Sequence, residues 1–258
     1  MTLSGLALTA LVGITLVSVQ QEIAVGKQAN AQVRKETPEV TDAEVTRYVR
    51  DVARRLTRVA SGPKYPYTFA VANSREINAF ALPGGPVWIH RGVLEKATNE
   101  SQVAGVLAHE IAHIAERHAA NQLTTVTMAK WSLSLLGAML GNSGGAGAAQ
   151  VAAELLASSV FLKFSRDDER NADRVGLRLL TRAGWDGRGM VELFEILKRE
   201  AGRNPDSVEA FFSSHPSPQD RIAELRAAVA SHHGGVRDTR QFQLIKARLL
   251  KMPAPRRP

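Results

Sequence analysis

The 258-residue sequence contains no cysteine. Disulfide bonds, zinc sites built from thiolates and lipid attachment through cysteine are therefore excluded for these residues. Aromatic residues are scarce, at 5%, and no internal repeat is visible. A chain of this length buries one substantial core, or one catalytic domain with appendages.

The sequence also lacks a convincing membrane-spanning run. Residues 3–19 carry no charge over 17 positions, but serine, threonine and glycine dilute them, and no lysine or arginine precedes them. They fit the remnant of an export signal, a weak membrane anchor or a buried N-terminal segment. Nucleic-acid motifs are absent too, so the net charge of +8 indicates solubility or attraction to an anionic membrane surface.

The string His109-Glu110-Ile111-Ala112-His113 is the most informative feature of the chain. On an α-helix its two histidines share a face, so both reach one Zn²⁺. Glu110 lies about 100° round the helix, where it can take a proton from water at the metal. Asn99 as N-cap, with Gln102 at the capping-box position, predicts a helix that apolar residues sink into the core. A solvated helix with two surface histidines is the alternative.

Catalytic zinc needs a third protein ligand besides these histidines. Glu116 lies about 10 Å further along the helix axis than the first histidine, so we expect it at the surface, and the same argument sets His118 aside. Ser165 is a predicted N-cap, after which Glu169 and Asp173 share one helix face. One carboxylate can then bind the metal, and the other can accept a hydrogen bond from the free N–H of a ligand histidine. The alternative is that these acids only stabilise the start of the helix through its dipole.

Two further features have competing interpretations. His215 precedes a helix that Ser217 and Pro218 are predicted to start, and taken alone it is expected to be a solvent-exposed histidine. Arginines recur at every fourth position from residue 166 to residue 182. They indicate a solvated helix face, or contact with an anionic surface.

The periodicity predicts a mainly α-helical α+β fold with one small three-stranded sheet. The predicted strands are residues 67–72, 77–82 and 87–90, and the predicted helices are residues 18–33, 41–60, 167–182, 187–200, 218–230 and 239–251, besides the HExxH helix. Helices 126–140 and 150–163 flank a glycine-rich connector at residues 141–147. They form either a hairpin packed on the core or a flap beside the site.

Together these residues resemble a known family of zinc metallopeptidases, which includes bacterial HtpX, the CAAX prenyl proteases, the mitochondrial Oma-type protease and the soluble periplasmic BepA-like enzymes. The matching pieces are the HExxH string, residues 78–85 and 165–173, and His215-Pro216 followed by Arg221. They occur in the family's order and cover most of residues 18–225. The lipid-anchoring cysteine of many soluble relatives is missing, and so are convincing transmembrane helices, which favours the soluble or peripheral branch.

The resemblance implies a gluzincin-like zinc metallopeptidase domain at residues 18–235, between an apolar segment at 1–17 and a C-terminal helix with a basic, proline-rich tail at 236–258. It implies one Zn²⁺ per chain. The implied roles are zinc ligand for His109, His113 and Glu169, general base for Glu110, partner of a ligand histidine for Asp173, support of the His215 loop for Arg221, and pairing with substrate backbone for Asn78, Ala79 and Phe80. His215 would donate to the oxyanion or occupy the open coordination position in a resting state.

The predicted function is a zinc-dependent endopeptidase that hydrolyses misfolded or membrane-associated proteins, in the periplasm or elsewhere outside the cytoplasm. A chaperone-like protein that binds clients and seldom cuts them is the alternative, and a hydrolase of non-peptide amides is a weaker one. The predicted partners are protein or peptide substrates and no nucleic acid. Peripheral membrane contact and the oligomeric state stay open.

Overall fold

The computed structural model describes residues 15–125, 163–215, 219–230 and 234–253. The predicted helix 126–140, all but the last residue of the predicted helix 150–163, and the predicted helix start at Ser217 and Pro218 lie outside these residues. The helices are α1 (Val19–Glu36), α2 (Ala43–Thr57), α3 (Arg91–Lys96), α4 (Glu100–Ala115), α5 (Arg166–Arg182), α6 (Arg188–Arg203), α7 (Glu209–Ser214), α8 (Gln219–Ala230) and α9 (Arg240–Lys251). The strands are β1 (Thr68–Ala72), β2 (Ala79–Ala81) and β3 (Pro86–His90).

The three strands form one mixed sheet in the order β1-β3-β2. Strand β3 pairs in parallel with β1 and antiparallel with β2, which leaves β2 at an edge, beside α4. Helix α1 covers the sheet, where Trp88 donates to the side chain of Asn30 at 2.9 Å. The predicted mainly helical α+β fold with a three-stranded sheet is confirmed.

Side-chain caps set the starts of α1, α2, α4, α5 and α9. Ser18 and Gln21 form a capping box at the start of α1. Asn99 caps α4 as predicted, by accepting from the backbone N–H of Gln102 at 3.2 Å. The predicted capping box is wrong, however, because the Gln102 side chain accepts from the N–H of Thr98, one residue earlier.

Helix α4 lies at the centre of the molecule, and all of its residues are buried. It packs against α2, α5, α6 and the edge strand β2. Glycine permits a close approach of α5 at the HExxH string, since a Cβ on Gly176 would lie 3.1 Å from the backbone nitrogen of His109. The HExxH string therefore sits inside the core, as predicted, and its residues are held by neighbours on every side.

The C-terminal helix α9 is part of the same core. Its Phe242, Ile245 and Leu249 are buried in the main hydrophobic cluster. Arg91, at the start of α3, is fully buried and donates to the carbonyl oxygens of Leu249 at 2.7 Å and Pro253 at 2.8 Å. The division of the chain between residues 235 and 236 stays a prediction. In the described parts of the chain, no helix has the length and apolar character needed to cross a membrane.

Candidate metal centre

Four buried side chains from three elements converge on one point. Helix α4 contributes His109 and His113, the first turn of α5 contributes Glu169, and His215 directly follows α7 as its C-cap. One donor atom from each lies within 4.8 Å of the others. The interpretation of His215 as a solvent-exposed residue is wrong, because only 1% of its surface is exposed.

The start of α5 fixes the position of Glu169. Ser165 accepts from the backbone N–H of Asp168 at 3.1 Å, and Asp168 accepts in return from the N–H of Ser165 at 3.1 Å. This predicted cap sets the first turn, so Glu169 faces the histidines of α4. Asp173, one turn later, lies behind them, with its Oδ1 3.1 Å from His109 Nδ1.

The distances between the donors fit a zinc ion. Four tetrahedral donors at about 2.0–2.1 Å from Zn²⁺ lie roughly 3.3 Å apart. Here His109 Nε2 lies 3.1 Å from His113 Nε2 and 3.4 Å from His215 Nδ1. The Oε1 atom of Glu169 lies 3.4 Å from His113 Nε2 and 2.8 Å from His215 Nδ1. Three imidazoles and one carboxylate also match the donor types that zinc prefers.

The charges around the cluster are balanced by a buried arginine. Arg221 donates to both oxygens of Asp173, at 2.6 and 2.7 Å, and pairs with Glu169. Burial raises the pKa of both carboxyl groups, but for Asp173 the hydrogen bonds from Arg221, and for Glu169 the nearby histidines, outweigh it and lower the pKa. Burial likewise lowers the pKa of His109, but the neighbouring carboxylates raise it to about 9. Glu169 and Asp173 are therefore held in their ionised form, which is the form that binds a metal or accepts from a ligand histidine.

Glu110 differs from every other acid in the cluster. It is fully buried, and neither of its carboxylate oxygens has a hydrogen-bond partner among the described residues. The nearest charged or titratable contact is His215, whose Nε2 lies 3.6 Å from Oε1. Burial raises the pKa of Glu110, and the nearby histidines His215 and His109 oppose that shift. A carboxylate kept unpaired in this way is free to exchange a proton with a small molecule beside the donors.

The predicted substrate-binding residues lie at the edge of the sheet, in or just before strand β2, which packs beside α4. Asn78 precedes β2, and its carbonyl oxygen accepts from the N–H of His90 at 2.8 Å. Ala79 is buried, and the ring of Phe80 stacks on Trp88 with a centroid distance of 6.0 Å. If this strand binds substrate, it does so through its backbone.

His118 is the site residue whose place the sequence did not show. The distance argument assumed a continuous helix, whereas α4 ends at Ala115 and Arg117 adopts a left-handed conformation with φ of 59°. The chain turns there, and His118 is buried with its Nδ1 3.0 Å from His113 Nδ1. Glu116, which the same argument placed at the surface, is only partly exposed. No glycine or proline at positions 116–117 signals this break.

A core helix that carries HExxH, with both histidines facing a carboxylate from a second helix, defines the metallopeptidase class. Residues 41–229 match the model of Peptidase family M48. The chain belongs to that family, and the resemblance noted from the sequence is confirmed.

Similar proteins include peptidases from bacteria and mitochondria. The beta-barrel assembly-enhancing protease of Escherichia coli (strain K12) is 34% identical over 248 residues, which are 93% of this chain and 50% of that protein. Mitochondrial metalloendopeptidase OMA1 of Schizosaccharomyces pombe is 33% identical over 180 residues, 70% of this chain and 52% of that protein. Metalloprotease YcaL of Escherichia coli (strain K12) is 26% identical over 166 residues, 64% of this chain and 63% of that protein. The chain thus spans about half the length of the first two relatives.

Proposed function

We propose that the chain is a zinc-dependent endopeptidase. The observation that carries this proposal is the convergence of His109, His113 and Glu169 beside the unpaired carboxylate of Glu110. Membership of Peptidase family M48 supports the same class of reaction. We take these three residues as the protein ligands of one zinc ion, with Asp173 and Arg221 holding His109 and Glu169 in place.

Glu110 is the residue that would carry the proton in both transfers of peptide hydrolysis. Bound zinc supplies a Lewis acid that polarises the scissile carbonyl and acidifies water. Glu110 takes the proton of the attacking water and later delivers it to the departing amine. Burial raises the pKa of Glu110 above the usual range of a carboxyl group, which makes it a stronger base toward the attacking water.

His215 has two candidate roles, donation to the oxyanion or occupation of the open coordination position in a resting state. Its distances of 3.4 Å to His109 Nε2 and 2.8 Å to Glu169 Oε1 favour the second. A fourth ligand from the protein would keep substrate away from the metal until His215 moves. We therefore propose that His215 holds the enzyme in a blocked resting state.

We propose unfolded or membrane-associated proteins outside the cytoplasm as the substrates. The edge strand β2 offers backbone groups for pairing with an extended chain, which an unfolded protein supplies more readily than a folded one. One Escherichia coli relative is named for enhancing the assembly of β-barrels, and closed β-barrels are one of the two kinds of structure that span membranes. An extracytoplasmic location would follow from such substrates.

Digestion of casein tests this proposal. Unfolded casein should be cut internally by the zinc-loaded protein, while a folded protein of similar size and small amide substrates such as anilides should not. A chelator should stop the cleavage, and added zinc should restore it. Cleavage of small amides in preference to casein would instead identify a hydrolase of non-peptide amides.

The alternative is a client-binding protein that seldom cuts. Retention of casein without any cleavage by the zinc-loaded protein, unchanged after chelation, would support this alternative. The buried Glu110 speaks against it, because an unpaired carboxyl group costs stability and zinc binding does not need it.

A further inference from the structure

His118 begins a helical segment, residues 118–125, that follows the end of α4. Its Nδ1 lies 3.0 Å from Nδ1 of His113. The opposite ring nitrogen of His113, Nε2, faces the other donors, 3.1 Å from His109 Nε2 and 3.4 Å from Glu169 Oε1. His118 therefore contacts the back of a candidate ligand and lies outside the donor cluster.

A histidine that binds a metal through one nitrogen carries its proton on the other, and an acceptor for that N–H fixes the orientation of the ring. For His109 the carboxylate of Asp173 is placed for this role, with its Oδ1 3.1 Å from Nδ1. We propose that His118 is the corresponding positioning residue for His113, with its Nδ1 accepting the N–H of His113 Nδ1. This inference rests on the zinc site of the proposed function.

A second contact ties His118 to the helix that supplies Glu169. When Nδ1 of His118 accepts, its own proton lies on Nε2. The side-chain nitrogen of Asn171 is 3.2 Å from Nε2, but it donates to Glu116 at 3.0 Å, and the Asn171 oxygen accepts from Arg174 at 2.6 Å. The Asn171 amide therefore does not accept the Nε2 proton. The Asp168 carboxylate lies 3.9 Å from Nε2 on the same helix. His118 thus connects the end of α4 to α5, the two helices whose side chains must meet at the metal.

Packing and backbone conformation hold His118 in this position. The ring of Phe164 stacks on His113 at a centroid distance of 3.9 Å, so His113 is confined on its face as well as at its outer nitrogen. Arg117, with φ of 59°, turns the chain back over His113. An L-residue in this region is strained, and the side chain of Arg117 donates to Glu22 at 2.6 Å, which stabilises the turn.

Zinc affinity, measured by competition with a chromophoric chelator, tests the proposal without any reference to catalysis. His118→Leu keeps the bulk of the side chain and removes the acceptor, so its zinc dissociation constant should rise about 10–100-fold. His118→Asn keeps an amide oxygen near the position of Nδ1 and should bind zinc within about threefold of wild type, since the acceptor is the group that matters. The matched control is His90→Leu, another buried histidine, which should leave zinc affinity unchanged.

Wild-type zinc affinity in His118→Leu would overturn the proposal, and so would an equal loss in the Leu and Asn variants, which would indicate ring packing alone. Urea denaturation of the zinc-free proteins checks that each variant folds. If His118→Leu does not fold, His118→Phe decides, because it keeps an aromatic ring, removes the acceptor and should weaken zinc binding about 10–100-fold. An unchanged affinity there overturns the inference. Wild type that binds zinc but cuts nothing contradicts only the proposed function.

Discussion

At the scale of single residues, the candidate site combines a buried acid, Glu110, with a buried histidine, His215, that lies among the candidate metal ligands. Glu110 is buried without a hydrogen bond among the described residues, and His215 Nε2 lies 3.6 Å from it. Desolvating a carboxylate without a partner costs free energy that packing elsewhere must offset. Such an arrangement is expected where function, rather than stability, determines a residue's environment.

Replacement of His215 by alanine distinguishes its two candidate roles. If His215 occupies a coordination position at rest, His215→Ala should bind zinc more weakly yet cut casein several-fold faster, because the position is then open to water and substrate. Zinc titration and initial cleavage rates on the same preparation measure both effects. Slower cleavage at unchanged zinc affinity would instead indicate donation to the oxyanion.

His90 gives the stability of the protein a dependence on pH. Burial lowers the pKa of His90 from 6.5 to about 4, so between these values the unfolded chain binds a proton that the folded protein excludes. The free energy of unfolding should therefore fall as the pH falls through this window, by about 2 to 3 kcal/mol between pH 7 and pH 4.5.

His90→Leu removes this contribution, so its stability should fall less than that of wild type over the same range. Urea denaturation of the zinc-free proteins at pH 7 and pH 4.5 measures the difference. Parallel losses in the two proteins would show that His90 is protonated as easily in the folded state as in the unfolded chain.

At the scale of elements, the sequence predicted those helices and strands that have a clear cap or period. Ser165 and its partner Asp168 predicted the start of α5, and with it the face that carries Glu169 and Asp173. The short helices α3 and α7 were missed because six residues are too few to establish a helical period. The end of α4 was missed because Arg117 adopts a backbone conformation that its residue type does not predict.

The cap of α5 should matter for metal binding as well as for stability. Ser165→Ala removes a side-chain acceptor and should lower the free energy of unfolding by about 1 kcal/mol. Because Glu169 lies in the first turn, the same change should weaken zinc binding several-fold. Denaturation curves and zinc competition measure the two effects.

Asp42→Ala is the matched control for that experiment. Asp42 caps α2, and its contacts go to Glu44, Val45 and Arg248, none of which belongs to the candidate site. The control should lose similar stability and keep its zinc affinity. Equal zinc affinity in the two variants would show that the cap does not position Glu169.

At the scale of the whole molecule, the site depends on contacts that no local pattern encodes. His215 was identified through the resemblance alone, since its place in the cluster depends on how α7 packs against α4 and α5. The pairing of Arg221 with Asp173 and Glu169 also depends on tertiary packing, because 48 and 52 positions separate these residues in the chain. The resemblance implied a different role for Arg221, the support of the His215 loop. Tertiary packing of this kind lies beyond what spacing and composition predict.

The packing of α9 on the core can be tested with two leucines of that helix. Leu249 is fully buried, whereas Leu244 is 60% exposed. Leu249→Ala should lower the free energy of unfolding by about 2–5 kcal/mol, and Leu244→Ala by less than about 0.5 kcal/mol. Chemical denaturation of both variants measures the contrast, and similar small losses would mean that α9 is an appendage.

The central claim is that this chain binds one zinc ion beside Glu110 and uses that residue to cut peptide bonds. The most direct test measures zinc content and casein cleavage together, for wild type and Glu110→Gln. Gln keeps the size of the side chain and removes the base, so we expect one zinc per chain in both proteins, with cleavage at least about a thousandfold slower in the variant. Near-normal cleavage by Glu110→Gln, or a wild type without zinc, would contradict the account.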